Sequence, residues 1–291
     1  MDLSKSAYHS KLFPYAYNVL GSVEDARDVV QEVVMKHLTA EKSSIGDEKN
    51  YLIRSVINLA INVKARQKKM LRDGEQWLPE PIDTSNAADR QLHLNEILSY
   101  SLLVLMEQLS PTERAVFILK ESFDYRHHEI ATMLSITEGH SRQLLSRAKA
   151  ALFKPKSRRT TNIRSQERDL LEGFLTAIRE RDTQKLVDIM ISDIQFQADG
   201  GGVVPAAVFH TVGAYEVSAL EITVYHKYLT SAQMVVTEVN HQPALLSIVN
   251  GKLVSCQIFT IDLISQKILQ ISAVLDREKL KSFYKINQDA L

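Results

Sequence analysis

Between Leu109 and Leu152 one helical pattern carries Leu144, Leu145, Ala148 and Leu152 on one side. His140, Arg142, Gln143, Ser146, Arg147 and Lys149 occupy the other. Arg suits the O6 and N7 of guanine, Gln suits adenine, and Lys suits phosphate, so this face has the chemistry of a DNA-groove reader. Such a helix must be held at a fixed angle, and the residues before it supply the support. Ser110-Pro111-Thr112-Glu113 is a helix start, with a Ser cap, Pro at the first helical position and an acid in the first turn. Ala115, Val116, Phe117 and Leu119 give that helix an apolar stripe, and Ser122 to Tyr125 breaks it. Glu129 to Leu134 makes a short helix, Ser135-Ile136-Thr137 a tight turn, and Glu138 to Leu152 the basic helix. The order is that of a helix-turn-helix. A plain helical hairpin with a solvated basic face has the same pattern.

Charge elsewhere is uneven, although the whole chain balances 35 basic against 35 acidic residues. Lys64, Arg66, Lys68, Lys69 and Arg72 form one basic run, and Lys154, Lys156, Arg158 and Arg159 another. Acids crowd Glu24, Asp25, Asp28 and Glu32. The single cysteine, Cys256, excludes an internal disulfide and suits a reducing cytoplasm. No apolar run reaches transmembrane length, so the expectation is a cytoplasmic protein with no membrane role. Asp199, His210, His226 and Cys256 are the polar candidates of the last block, but no pair has a spacing that demands catalysis. The nine histidines show no metal-ligand spacing. No catalytic residue, metal or cofactor is assigned.

The elements fall into three blocks. Residues 1–72 read as helices, with Leu12 to Leu20 ended by Gly21, Ser22 capping the next, and Asn50 to Lys69 a third. Residues 73–90 read as a linker, in which Pro79 and Pro81 stiffen the chain around Trp77 as a docking plug. Residues 91–153 end in the helix-turn-helix, and 154–165 form a basic linker. Residues 166–291 open with helices (Leu170 to Arg181, Thr183 to Met190) and continue in strands. Those strands are Ile194 to Ala198, Ala219 to Tyr228, Gln233 to Val239, Ala244 to Val249, Leu253 to Ile261 and Ile268 to Leu275. Asn250-Gly251 marks a hairpin. Helices followed by an antiparallel meander predict an α+β domain with a curved sheet wrapped on helices.

The first two blocks resemble the sigma-70 family in its compact extracytoplasmic-function form, with regions two and four alone. Asn18-Val19-Leu20-Gly21-Ser22-Val23-Glu24-Asp25-Ala26-Arg27-Asp28-Val29-Val30-Gln31-Glu32 is similar to the polymerase-binding helices of region two. Tyr51 to Asn62 is similar to the helix that opens the −10 element. Leu109 to Val116 and Arg142 to Lys149 resemble region four, which reads the −35 element. Trp77-Leu78-Pro79-Glu80-Pro81 and Asp199-Gly200-Gly201-Gly202 resemble hallmarks of the SigJ-like subgroup, whose members carry a SnoaL-like extension. The chain departs from the pattern at Ser135, where the turn usually has Gly, and at Ser141, where Val or another small residue often stands. Leu275-Asp276-Arg277-Glu278-Lys279-Leu280 keeps the acid and the Lys-Leu end of a closing Asn-Pro-Asp-Lys-Leu motif.

The resemblance implies two all-α sigma domains and a C-terminal α+β, cone-shaped, NTF2-like domain. It implies core RNA polymerase and promoter DNA, at its −35 and −10 elements, as partners. Asp25, Asp28, Gln31 and Glu32 would face polymerase. Lys64, Arg66, Lys68 and Lys69 would neutralise phosphates of the separating strands, and the loop from Thr39 to Asn50 would wall a base pocket. The helix-turn-helix residues named above would read the −35 element, with Arg142, Gln143 and Arg147 at its bases. Trp77 to Pro81, Asp199 to Gly202, Asp276, Lys279 and Leu280 would carry regulation between domains, in place of a separate anti-sigma protein. A small ligand for the C-terminal pocket stays open. Two other classes also stay open: a SnoaL-like enzyme fused to a DNA-binding sensor, and a one-component repressor acting without polymerase.

Overall fold

The computed structural model describes residues 3–39, 47–70, 77–85, 94–152, 165–202, 210–262 and 264–288. The tip of the Thr39 to Asn50 loop, Arg72 and the basic run from Lys154 to Arg159 lie outside the described residues. The chain divides into two units. One draws on the residues up to 70, on 94–98 and on 102–152; the other draws on 77–85, 99–101 and 165–288.

In the first unit, α1 (Leu3–Leu20), α2 (Val23–Thr39) and α3 (Glu48–Met70) pack on one another. Gly21 sits at φ 71° and donates its N–H to the Tyr17 carbonyl, closing α1 with a conformation that glycine adopts without a Cβ penalty. The Ser22 hydroxyl accepts from Asp25 N at 3.2 Å and caps α2. Val29, Val30, Val33 and Val34 turn inward with Leu52, Ile53, Val56 and Ile57 of α3. Asn18, fully buried, joins this bundle to the rest of the unit. Its amide donates to the Glu96 carbonyl, its Oδ1 accepts from Leu98 N, and its backbone carbonyl accepts from Arg114 Nε. The helix start read at Ser110 is present as a reciprocal capping box with Glu113, and Pro111 opens the helix.

After α4 (Tyr100–Leu105) and the helical turn Met106–Gln108 come α5 (Pro111–Glu121), α6 (His127–Leu134) and α7 (Glu138–Leu152). Ser135 takes the left-handed conformation, φ 56° and ψ 43°, between α6 and α7.

The second unit wraps a six-stranded sheet on helices α8 (Ser165–Glu180), α9 (Thr183–Asp188) and α10 (Ala214–Val224). Its strands are β1 (Met190–Asp199), β2 (His210–Val212), β3 (Gln233–Val239), β4 (Gln242–Val249), β5 (Lys252–Asp262) and β6 (Lys267–Val274), in the order β2-β1-β6-β5-β4-β3. The meander is antiparallel from β3 to β6, but β1 joins β6 in parallel, which the sequence did not signal. Asn250 and Gly251, both at positive φ, make the expected β4–β5 hairpin. Phe174 meets Phe259 edge-on at 5.2 Å in a core that also holds Leu171, Ile178, Phe196, Leu245 and Ile271.

The strand expected over Ala219 to Tyr228 is instead α10 and a π-helical turn, Tyr225–Leu229. Leu220, Ile222 and Val224 alternate with polar neighbours, and that period reads as a strand. Burial follows the other period: α10 buries Ala214, Val217, Ser218 and Glu221, a helical stripe.

Candidate functional site

The faces expected to meet polymerase and DNA all belong to the first unit. On α2, Asp28, Gln31 and Glu32 are exposed, and Glu32 pairs with Lys36 at 2.5 Å. Asp25 is half-buried and accepts from the Gln67 amide at 2.7 Å. Met35, 50% exposed, adds an apolar side chain to this acidic face that sequence reasoning passed over. On α7, His140, Arg142, Gln143, Ser146 and Arg147 are exposed, while Leu144, Leu145, Ala148 and Leu152 are buried. Arg142 pairs with Glu138 one turn earlier, and Lys149 with Glu121 at 2.8 Å. Ser141 faces inward, its hydroxyl 2.9 Å from His127 Nδ1. Burial, followed by the Arg142 charge, lowers the His127 imidazole below its ordinary value.

The α3 face departs from the expectation. Arg66 and Lys69 are exposed, but Lys64 and Lys68 are turned inward. Lys64 is 2% exposed. Its Nζ donates to the Leu20 carbonyl at 2.9 Å and pairs with the Glu107 carboxylate at 2.8 Å. Lys68 donates to the carbonyls of Glu107 and Leu109, at 2.7 and 2.6 Å. Towards the other end of α3, Arg54 donates to the Ser135 hydroxyl and Asn58 to the Met133 carbonyl. These four residues recur along one side of the helix, and that side packs against the helix-turn-helix. In this arrangement Lys64 and Lys68 hold carbonyl and carboxylate oxygens of the same unit, not phosphates.

Glu107 is the shared acceptor, bonded to both Lys64 and the buried guanidinium of Arg114. Burial pushes its carboxyl up, but the Arg114 and Lys64 charges outweigh burial and hold it below the usual carboxylate range. Burial, with Arg114 acting in the same direction, lowers the Lys64 ammonium to about 7. The contacts of Glu107, Arg114, Arg54 and Asn58 were not legible in the sequence, because each finds its partner through the fold.

The second unit gathers the residues expected to regulate. Residues 77–85 run along the β3–β4 turn. Ile82 N donates to Asn240 Oδ1 at 2.8 Å, Asn240 N donates to the Ile82 carbonyl at 2.9 Å, and Thr84 pairs with Glu238. Tyr100 Oη donates to the Pro79 carbonyl at 2.8 Å, and Leu78 and Ile82 are fully buried. At the head of the segment, Asp199 Oδ2 accepts from Leu78 N at 2.8 Å and from Lys279 Nζ at 2.5 Å. Lys279 also donates to the Leu78 carbonyl at 2.6 Å and lies 4.2 Å above the Trp77 ring.

Asp199 Oδ1 accepts from Gly201 N, and the Asp199 carbonyl accepts from Leu275 N and Asp276 N. Gly201, at φ 62°, lies so close to Asp276 that a Cβ there would fall 2.5 Å from its carboxyl carbon. Helix α11 (Arg277–Gln288) starts from Asp276 and carries Lys279 and the buried Leu280. Three separated motifs therefore form one clasp: Trp77 to Pro81, Asp199 to Gly202, and Asp276 to Leu280. Glu80 and Pro81 are buried within the unit, and Gly200 and Gly202 flank the close approach.

The other polar candidates of this unit do not converge. His210 is exposed on β2, His226 Nε2 lies 3.1 Å from the Ile178 carbonyl, and Cys256 is buried with its thiol pushed up by desolvation. Among the described residues, no group of His, Cys, Asp and Glu is placed to hold a metal ion. No helix among them is long and apolar enough to cross a membrane.

Comparison with known proteins fits this division. The family model "Sigma-70 region 2" matches residues 6–70, and "Sigma-70, region 4" matches residues 99–152. The chain is 27% identical over 234 residues to "ECF RNA polymerase sigma factor SigJ" of Mycobacterium tuberculosis, covering 78% of this chain and 74% of that protein. It is 29% identical over 255 residues to "Probable ECF RNA polymerase sigma factor SigI" of the same species, covering 85% and 84%. The crystal structure of the Mycobacterium tuberculosis extracytoplasmic function sigma factor SigJ superposes with a TM-score of 0.74 at 24% identity, over 96% of this chain and 98% of that one, a likeness of fold. With regions 2 and 4 in order and an α+β domain behind them, the chain belongs to the sigma-70 family as a SigJ-like extracytoplasmic-function sigma factor.

Proposed function

We propose that this sigma factor directs promoter-specific initiation through α2, α3 and α7, and that its free form keeps the DNA-facing side of α3 bonded to region 4. Core polymerase binds at Asp25, Asp28, Gln31 and Glu32. The −35 element is read by Arg142, Gln143 and Arg147, with His140, Ser146 and Lys149 beside them. Arg66 and Lys69 reach phosphates at once, and Lys64 and Lys68 do so after α3 separates from region 4. The observation that carries this reading is the set formed by buried Lys64 and Arg114 with half-buried Lys68 and Glu107. Two of the cations expected at DNA are bonded there to oxygens of Glu107 and Leu109 in region 4, and Lys64 also to the Leu20 carbonyl of region 2. The clasp of the second unit serves regulation, and the SnoaL-like domain turns over no substrate, since Asp199 is committed to Leu78, Lys279 and Gly201.

Run-off transcription with core polymerase tests this together with DNA binding by the free protein. Glu107→Gln removes the charge that holds Lys64 and Arg114. The variant should bind −10 single strands more tightly than the parent before polymerase is added. Arg142→Ala should weaken duplex binding by about 1–3 kcal/mol and relax preference at a single −35 position. Unchanged strand binding by Glu107→Gln would refute the occluded state, and an equal loss on every sequence for Arg142→Ala would refute base reading.

A further inference from the structure

The second unit contains a polar group that neither the clasp nor transcription uses. Glu221 lies on the buried stripe of α10, 4% exposed, and both its carboxylate oxygens accept from one amide, Gln257 Nε2, at 2.9 and 3.1 Å. A carboxylate offers about four lone-pair sites, so one NH₂ leaves it under-satisfied. Gln257 stands opposite Leu245 on the sheet face that packs on α8 and α10. Ser255 lies two residues before it on the same face, about 7 Å along the strand, and Ser247 stands directly opposite Ser255. Both serines are buried, and neither hydroxyl has a hydrogen-bond partner among the described residues. Opposite Ser247 in register is Met234, which is only half-buried, so the polar strip runs from Glu221 to the margin of the sheet.

Buried orphan hydroxyls are costly, and so is a buried carboxylate held by one neutral amide; here both hydroxyls lie on the sheet face of Gln257, the amide that holds Glu221. Burial drives the Glu221 carboxyl up to about 7, with only the Gln257 amide opposing it. We propose that this strip binds a protonated primary amine on an apolar body, with Glu221 as counter-ion and the Ser255 and Ser247 hydroxyls as further acceptors. A neutral alcohol could satisfy the hydrogen bonds but would leave the desolvated charge. An ammonium supplies both the charge and three N–H donors, matching the acceptors available. The surrounding side chains, Leu245 and Phe259 in the core and Met234 and Tyr225 packed against it, suit an aromatic or aliphatic body. This inference stands apart from the reading of α3 and can fail without it.

Calorimetric titration of the full chain with 2-phenylethylamine and with 2-phenylethanol, at about pH 8 where the carboxyl is ionised, tests the site. The amine should bind, and the alcohol should bind about tenfold or more weaker. Glu221→Gln should lose about tenfold or more in amine affinity while keeping its circular dichroism, and Ser247→Ala and Ser255→Ala should each lose a smaller factor. No heat with the amine, equal affinity for the two probes, or amine binding that survives both Glu221→Gln and the serine changes would overturn the proposal.

Discussion

Replacing Lys279 by Met isolates the electrostatic part of the clasp, because the new side chain keeps most of the length and removes the charge. The change leaves Asp199 buried without its cation. Removing one partner of a buried ion pair costs roughly 3–5 kcal/mol. Asp199 still accepts from Leu78 N and Gly201 N, which favours the lower end, about 3 kcal/mol. Loss of the bond to the Leu78 carbonyl and of the cation over the Trp77 ring adds about 1 kcal/mol. A unit of ordinary stability, roughly 5–15 kcal/mol, would remain folded, but residues 77–85 would lose their anchor at the Trp77 end.

Trp77 is the sole tryptophan, so its emission reports directly on that segment. Lys279→Met should shift the emission to the red and increase quenching by acrylamide, while Lys279→Arg should do less. In a double-mutant cycle with Asp199→Asn, the second change should cost at least about 1 kcal/mol less than it does alone, because the charge it removes has already lost its partner. Unchanged Trp77 emission together with strictly additive stabilities would refute the reasoning that this pair holds the segment.

Two further predictions concern single side chains. The Glu221 carboxyl titrates higher in the folded chain, about 7, than in the unfolded one, so its contribution is present in full below the unfolded value and lost as pH rises through 7. Stability of the second unit should therefore fall by about 3 kcal/mol between pH 4.5 and 8 from this group, and Glu221→Gln should flatten that slope in urea titrations. Ser135→Gly should stabilise the first unit by about 1 kcal/mol in thermal unfolding, since glycine takes the left-handed turn without strain and the hydroxyl is bonded only to an exposed Arg54. A destabilised glycine variant would mean that the Arg54 contact outweighs the backbone term.

Much of the first unit was legible because its signals are local. Ser110, Pro111 and Glu113 state a helix start within four residues, and Leu144, Leu145, Ala148 and Leu152 state which side of α7 turns inward. Motifs far apart in sequence, at Trp77, Asp199 and Lys279, were recognisable as a set, though their mutual bonds needed the fold. Lys64 and Lys68 show where local reading fails. A basic run looks like a solvated face, and nothing nearby in the chain announces that carbonyls more than thirty residues away will accept from it. α10 fails for another reason: its β-branched residues alternate as in a strand, and only the helices and sheet that it covers decide between the two periods.

The bonds that α3 makes to region 4 have an evolutionary consequence. Asn58 and Lys68 donate to backbone carbonyls, those of Met133, Glu107 and Leu109. A carbonyl persists through any substitution, so those contacts do not depend on which side chains region 4 carries there. The residues of α7 that face solvent take no part in them. If Arg142, Gln143 and Arg147 read the promoter as proposed, preference can therefore diversify by changes there while these backbone contacts of the first unit stay intact. On that proposal recognition and restraint lie in separate parts of the first unit, and a change of regulon need not bring a change of control.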